Sequence, residues 1–334
     1  MSLGAPFQKV CVVGAGAIGG WLAVLLARAG CSVSVLARGD TLQAILREGL
    51  TLKMGGQTLR AQVPASEEPE RIGEQQLVIL ALKAPALPAV VHRLAPLLGP
   101  ETVVLTAMNG IPWWFLQGIG GPLAGRPLQS VDPNGELAST MPIAQVLGGV
   151  VHASCAIESP GVVRHHFGDG LIVGEPLGGE SDRVHQLVSL FKAAGLNASA
   201  SALIQRDIWY KLWGNMTINP VSALTGATGD RILDDSLVRG FISAVMLEAR
   251  EIGARLGIPI AQQPEDRHAV TRKLGAFKTS MLQDLEAGKP MELDALVGAV
   301  RELGQLTEVP TPMTDALFGL ARLQARVRGL YQEG

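Results

Sequence analysis

The chain has 334 residues, of which 47% are hydrophobic and 17% charged, and its formal net charge is -2. This composition excludes a disordered chain, and the absence of a basic cluster excludes a protein that binds the nucleic-acid backbone. Because single cores stop growing at roughly 250 to 300 residues, two domains are expected.

The first predicted elements come from an uncharged run over residues 10–27. The run has almost the length of a membrane span, which needs about 20 apolar residues. Its glycines divide it into a β-branched strand over 9–13, a turn, and a helix from about 17 to 29. We therefore expect a soluble protein with no membrane span, and we take the cytoplasm as its location.

Strands and helices then alternate up to about residue 200. Strands are predicted over 31–37, 76–82 and 102–108, helices over 40–48, 86–98 and 181–194, and further β-runs over 145–175. The strands are almost continuously apolar, as in a parallel sheet covered on both faces. The prediction is a doubly wound α/β, Rossmann-like domain over residues 1–202.

Helical patterns dominate the remainder of the chain. They cover residues 204–217, 235–256, 265–287, 291–307 and 312–330. Pro220 should bend or end the first of these helices, since proline has no N–H to donate. The prediction is a separate all-α domain over residues 203–334. The sequence does not determine the oligomeric state; a homodimer is the assembly that we consider.

The glycine turn has the spacing GxGxxG between a strand and a helix. Gly14 permits a tight turn, Gly16 lets backbone amides approach a diphosphate, and Gly19 lets helix and strand pack closely. The diphosphate would lie at the positive end of the helix. The expected cofactor-binding residues here are Gly14, Ala15, Gly16, Ala17, Ile18 and Gly19.

The residue after the second strand indicates which dinucleotide binds. NAD sites usually carry an acid there, whereas this sequence has Arg38, whose guanidinium suits the 2'-phosphate of NADP(H). Alternatively, Arg38 is solvated and Asp40 holds the ribose, which would indicate NAD. Lys83 and Asn109 follow two later strands, and ligands of doubly wound sheets bind beyond such strand ends.

A polar stripe interrupts the apolar segment WYKLWGNMTINPVSAL. Lys211, Asn215 and Asn219 are four apart and project from one helix face. A solvated face is the simpler interpretation, but asparagine is a mediocre helix former. Downstream, Ser280 and Asp284 are also four apart, and Glu292 follows a Gly-Lys-Pro break, where an acid is often only a dipole partner or a cap of a helix. Together these residues indicate a ligand site.

These motifs resemble the ketopantoate reductase (2-dehydropantoate 2-reductase) family, from VVGAGAIGG through LALKA, MNG, KLWGNMTINP and TSMLQD to ELD. The resemblance implies a Rossmann domain, a helical domain, and NADPH-dependent reduction of 2-dehydropantoate to (R)-pantoate in pantothenate biosynthesis. It implies that Lys211 is the general acid and Glu292 a second catalytic group.

The same resemblance implies further roles. Substrate would contact Asn109, Asn215, Asn219 and Ser280, and cofactor would contact Arg38, Lys83, Asn109 and Ser154. No metal site is expected: the three cysteines are widely spaced and lack metal-ligand spacing.

Three departures from the family pattern keep other functions open. Val297 and Thr228 stand where the family often has asparagine, and Met291 replaces a frequent threonine. One alternative is a paralogous reductase or dehydrogenase for another 2-oxo or 2-hydroxy acid, with a more apolar pocket. An alternative of a different class is a dinucleotide-binding redox sensor without catalysis, against which Lys211 and Glu292 argue.

Overall fold

The computed structural model of the protein describes residues 7–331, and the outermost limits of the two predicted domains lie outside this range. The chain divides into two compact units. The first joins the chain up to Met108 with Gly135–Ile204, and the second joins Asn109–Asn134 with the chain from Gln205 onward.

The described residues of the first unit, from 7 onward, form one sheet of ten strands. They are β1 (Lys9–Val13), β2 (Ser32–Leu36), β3 (Leu50–Met54), β4 (Gln57–Ala61), β5 (Ala65–Ser66), β6 (Gln75–Leu80), β7 (Leu98–Thr106), β8 (Val146–Ser159), β9 (Val162–Gly174) and β10 (Asn197–Ser201). The strand order is β4-β3-β9-β8-β7-β6-β1-β2-β5, with β10 beside β9. Neighbours from β5 through β2, β1, β6 and β7 to β8 run parallel. The predicted Rossmann-like α/β class is confirmed.

Helices of the first unit are α1 (Ala17–Arg28), α2 (Gly39–Glu48), α3 (Pro69–Ile72), α4 (Glu136–Thr140) and α5 (Asp182–Ala193). The predicted helix over 86–98 is wrong, because this stretch holds short 3-10 turns instead. Prolines at 85, 88 and 96 explain the difference, since each removes a backbone donor that an α-helix needs. The β3–β4 hairpin and β10 were not predicted.

The second unit is helical. Its helices are α6 (Ile204–Thr225), α7 (Gly229–Asp234), α8 (Ser236–Arg255), α9 (Pro264–Arg272), α10 (Ser280–Glu286), α11 (Ala299–Leu306) and α12 (Pro312–Val327), with a π-helical turn at Asp294–Gly298. The single helix predicted over 265–287 is wrong, because residues 273–279 form a connection between α9 and α10. No helix within residues 7–331 combines the length and hydropathy that crossing a membrane requires.

Pro220 lies inside α6 and does not end it. The helix continues for five residues to Thr225, and the side chains around the proline are buried, including Met216 and Val221. Tertiary burial of this apolar surface outweighs the hydrogen bond that proline cannot make.

Residues 109–134 belong to the helical unit, although the predicted boundary after residue 202 placed them in the first domain. The carboxylate of Glu302 accepts the backbone N–H groups of Gln129 and Ser130, each at 2.8 Å. The Phe115 ring lies 6.0 Å from that of Trp209 on α6, and both side chains are buried. Apolar burial and these carboxylate bonds attach the segment to the helices.

Candidate active site

The glycine turn after β1 has the geometry of a diphosphate-binding loop. Gly14 has a φ of 95°, which side chains rarely adopt. A Cβ on Gly19 would lie 1.9 Å from the Gly14 carbonyl oxygen, so only glycine lets α1 pack this closely. Gly16 begins α1 without a side-chain cap, a Cβ there would meet nothing within 4 Å, and the first turn carries no acid. The turn therefore fits the diphosphate of a dinucleotide.

The other predicted cofactor residues lie at or beyond the same sheet edge. Arg38 is the N-cap residue of α2, two residues after β2, and is exposed. Lys83 is exposed three residues after β6. Ser154 lies on β8, beyond the residues of β8 that pair with β7. The pairing of β8 with β9 shifts its register on both sides of Ser154. Parallel β1, β2 and β6 end together at this edge.

Two tryptophans fix the orientation of α6. Trp209 and Trp213 are each 1% exposed, and the Trp213 indole N–H donates to the Met246 carbonyl at 2.7 Å. A Cβ on Gly253 would lie 2.3 Å from Trp209 Nε1, so α8 approaches α6 closely here. Since the tryptophans lie about 200° around the helix from the polar stripe, their burial turns that stripe away from α8.

Lys211 is the centre of a polar cluster in the helical unit. Its Nζ donates to Asn109 Oδ1 at 2.7 Å. Burial lowers the pKa of Lys211 to about 8, and the charge of Arg267 acts in the same direction, whereas the carboxylate of Glu292 opposes both. Glu292 is only 4% exposed. The ammonium therefore loses its proton at a lower pH than an ordinary lysine does.

The π-helical turn positions Asn109. The Ala295 carbonyl, inside that turn, accepts the Ile111 N–H at 2.8 Å. Gly110 has a φ of 84°, and a Cβ there would lie 2.6 Å from the same carbonyl oxygen. This contact links the Asn109 loop to the helix start that carries Glu292. π-Helical turns are frequent at functional sites.

Replacing Gly110 with alanine should displace Asn109 from Lys211. The methyl group would collide with the Ala295 backbone, which cannot give way as a flexible side chain can. We expect turnover to fall by about 100-fold, as for a misplaced catalytic contact. Gly121→Ala is the matched control, because Gly121 has a φ of 77° in the same segment but open space around its Cβ. Equal losses in the two variants, measured as initial rates, would mean that backbone strain alone is responsible.

The remaining predicted substrate residues also lie in the helical unit. Asn215 is half-buried and Asn219 is 7% exposed, both on α6. Ser280 is the first residue of α10, directly after Thr279, whose hydroxyl caps the helix by accepting the Leu282 N–H at 3.2 Å. Asp284 lies one turn further and is buried.

A charged residue that the sequence interpretation did not single out lies beside the polar stripe of α6. Arg267 projects from α9 to Tyr210 and Gly214 on α6, with its guanidinium carbon 5.3 Å from the centre of the Tyr210 ring. An isolated arginine in a helix carries no motif, so neither pattern nor spacing indicated it. The contact with Gly214 lies three residues, or about one helical turn, from Lys211, and the charge of Arg267 lowers the pKa of Lys211.

The three departures from the family pattern lie in different surroundings. Val297 is fully buried in the π-helical turn, and Met291 is 2% exposed. Thr228 donates a hydrogen bond to Asp230 and precedes α7. The first two positions present apolar side chains where an amide and a hydroxyl are frequent in the family.

A glycine turn that fits a dinucleotide and a half-buried lysine with a lowered pKa are features of dinucleotide-binding oxidoreductases. The sequence pattern of Ketopantoate reductase PanE/ApbA matches residues 10–178, and that of Ketopantoate reductase PanE/ApbA C terminal matches residues 203–325. The chain belongs to the ketopantoate reductase family.

Individual relatives match nearly end to end. A 2-dehydropantoate 2-reductase from Mesorhizobium japonicum is 45% identical over 97% of this chain and 100% of its own length. The crystal structure of a candidate ketopantoate reductase from Ralstonia solanacearum MolK2 is 56% identical, with a TM-score of 0.94 over 97% of this chain and 100% of that one. D-mandelate dehydrogenase, solved with NADH and anilino(oxo)acetate, shares the fold, with 22% identity and a TM-score of 0.84 over 97% and 100%.

Proposed function

We propose that the protein reduces 2-dehydropantoate to (R)-pantoate with NADPH, as a cytoplasmic step of pantothenate biosynthesis. The observation that carries this proposal is the contact of Lys211 with Asn109 next to the buried carboxylate of Glu292. The 45% identity to a 2-dehydropantoate 2-reductase over the whole chain supports the choice of substrate.

The cluster suits the reduction of a ketone. The nicotinamide supplies hydride to the carbonyl carbon when the cofactor is bound, and negative charge develops on the oxygen. An ammonium that binds this oxygen and gives up its proton stabilises the transition state most. Asn109 orients the Lys211 ammonium, and Glu292 favours its charged form. Asn215, Asn219 and Ser280 supply neutral groups that orient the substrate without altering that charge.

Initial rates of NADPH oxidation with a panel of 2-oxo acids test the substrate. We expect the highest kcat/KM with 2-dehydropantoate and (R)-pantoate as the product, identified by chiral chromatography. Turnover confined to aromatic 2-oxo acids would contradict the assignment. Binding of NADPH without turnover of any acid in the panel would favour the redox sensor.

A different 2-oxo or 2-hydroxy acid is the second candidate. Val297 and Met291 favour it, because two buried apolar side chains replace polar ones of the family. A pocket with fewer donors discriminates less strongly for a substrate hydroxyl. The candidate predicts comparable kcat/KM for 2-dehydropantoate and for 2-oxo acids that lack its C4 hydroxyl.

The preference for NADPH should depend on Arg38. This residue is exposed at the N-cap of α2, where a guanidinium can bind the 2'-phosphate. We expect Arg38→Ala to raise the Kd of NADPH by about 10- to 100-fold, the value of one to two charge-assisted hydrogen bonds, and to leave NADH binding nearly unchanged. Arg47→Ala, at the other end of α2, is the control. An unchanged ratio of the two affinities, measured by fluorescence titration, would remove Arg38 from the phosphate site.

A further inference from the structure

Arg267 packs against α6 beside the polar stripe, at a position where α6 has no side chain. Its guanidinium stacks over the Tyr210 ring at 5.3 Å. A Cβ on Gly214 would lie 2.5 Å from Arg267 Nε and 2.9 Å from a terminal nitrogen. Glycine at 214, in the middle of a helix where it is usually unfavourable, therefore makes room for this guanidinium.

The charge of Arg267 has no anionic partner within the part of the chain that the structure describes. Its Nε is buried without a hydrogen-bond acceptor, and Tyr210 offers its ring face and a side-chain hydrogen bond but no carboxylate. Burial lowers the pKa of Arg267, and Tyr210 opposes that effect. A half-buried guanidinium without a counter-ion is unfavourable, because the hydration lost at its buried nitrogen is not replaced by an opposite charge.

Lys211 and Arg267 are two neighbouring cations beside α6. Among the described residues, Glu292 supplies the one carboxylate whose charge acts on the pKa of Lys211. A 2-oxo acid carries a carboxylate directly beside its ketone. If the ketone oxygen binds the ammonium, the carboxylate lies one carbon further on. Arginine binds carboxylates through two parallel hydrogen bonds, a geometry that lysine and asparagine cannot supply.

We propose that Arg267 is a substrate-binding residue that holds the carboxylate of the 2-oxo acid while Lys211 serves the ketone. The inference deepens the proposed function and rests on it for the identity of the acid. Through this contact with the carboxylate, Arg267 would make the site prefer acids to neutral ketones, esters and amides.

Binding of a charged ligand and its neutral analogue tests this role. The ligands are (R)-pantoate and (R)-pantamide, titrated by calorimetry at saturating NADP⁺. For Arg267→Ala we expect the Kd of pantoate to rise at least about 30-fold, with that of pantamide changed by less than about threefold, since only pantoate loses a charge partner. Loss of both affinities to the same extent, or of neither, would overturn the proposal.

Two further variants separate carboxylate binding from general effects. Gly214→Ala keeps every charge and favours the helix, but its methyl group would push the guanidinium aside, so it should reproduce part of the loss for pantoate. Arg272→Ala removes a cation from the same helix α9, one that pairs with Asp234 and is exposed. It should leave the ratio of pantoate to pantamide affinity unchanged. If Arg272→Ala lowers that ratio as much as Arg267→Ala does, the effect is one of net charge, and the proposal fails.

A second ligand pair keeps this test independent of the substrate's identity. Oxamate carries a carboxylate beside a carbonyl, and oxamide is its neutral counterpart. The wild-type protein should bind oxamate more tightly than oxamide, and Arg267→Ala should abolish the difference, even if 2-dehydropantoate is not the substrate. Equal binding of oxamate and oxamide by the wild-type protein would overturn the role of Arg267, whereas failure to reduce 2-dehydropantoate alone would overturn only the proposed function.

Discussion

Replacing Lys211 with alanine is expected to lower kcat by about 10³-fold or more, the combined value of a general acid and a charge placed at a developing oxyanion. The affinity for NADPH should remain within a few-fold, because the contribution of Lys211 arises in the transition state. Single-turnover kinetics and fluorescence titration of NADPH measure the two quantities separately.

Lys192→Ala, an exposed lysine in the last turn of α5, is the control for this variant. The wild-type enzyme should also lose kcat/KM in the reductive direction as the pH rises through about 8, since the pKa of Lys211 is lowered to about 8 and only the protonated amine is an acid. This decrease of kcat/KM at alkaline pH, the alkaline limb of the pH profile, should be absent in Lys211→Ala. An equal loss of cofactor affinity and turnover would contradict the assigned role.

Replacing Glu292 with glutamine is expected to have the second-largest effect, about 100-fold at pH 7.5, within the usual range for an acid-base group. The carboxylate raises the pKa of Lys211 against burial and the charge of Arg267. Without it the pKa falls below 8, and more of the lysine is neutral at a given pH. The alkaline limb of the pH profile should therefore move to lower pH, so the loss is larger at pH 8.5 than at pH 6.5.

A suitable control is Glu286→Gln, which removes a charge from an exposed carboxylate that pairs with Lys278 at 2.7 Å. It should change neither the rate nor the limb. If the limb of Glu292→Gln stays at the wild-type pH while the rate falls, Glu292 acts by packing or by direct substrate contact and not through the lysine.

Short-range patterns in the sequence predicted most of the fold. The glycine turn, the apolar strands and the apolar helix faces are short-range signals, and the structure has the α/β sheet and the helical unit that they indicate. Two of the failed predictions concern proline, which acted in opposite ways. Several prolines between β6 and β7 prevent an α-helix, whereas Pro220 is accommodated within α6 because its surroundings are buried. Propensity alone does not distinguish the two cases.

The candidate site was predictable where residues share a helix face or follow a strand. Lys211, Asn215 and Asn219 were predicted in that way, and they remain predictions. Two features depend on contacts distant in sequence and could not be found. One is the contact between the Asn109 loop and the π-helical turn, and the other is Arg267, whose place is set by the absence of a side chain at Gly214.

The attachment of residues 109–134 to the helical unit also affects how the protein is made. Glu302 lies 172 residues after Ser130, whose backbone it binds. During synthesis on the ribosome, this segment with Trp113 and Trp114 emerges long before its partners on α6 and α11. Its apolar side chains therefore stay exposed until those helices have been synthesised. We infer that a fragment beginning at residue 205 lacks part of its own interior, and that separate expression of the helical unit requires residues 109–134 to be supplied as well.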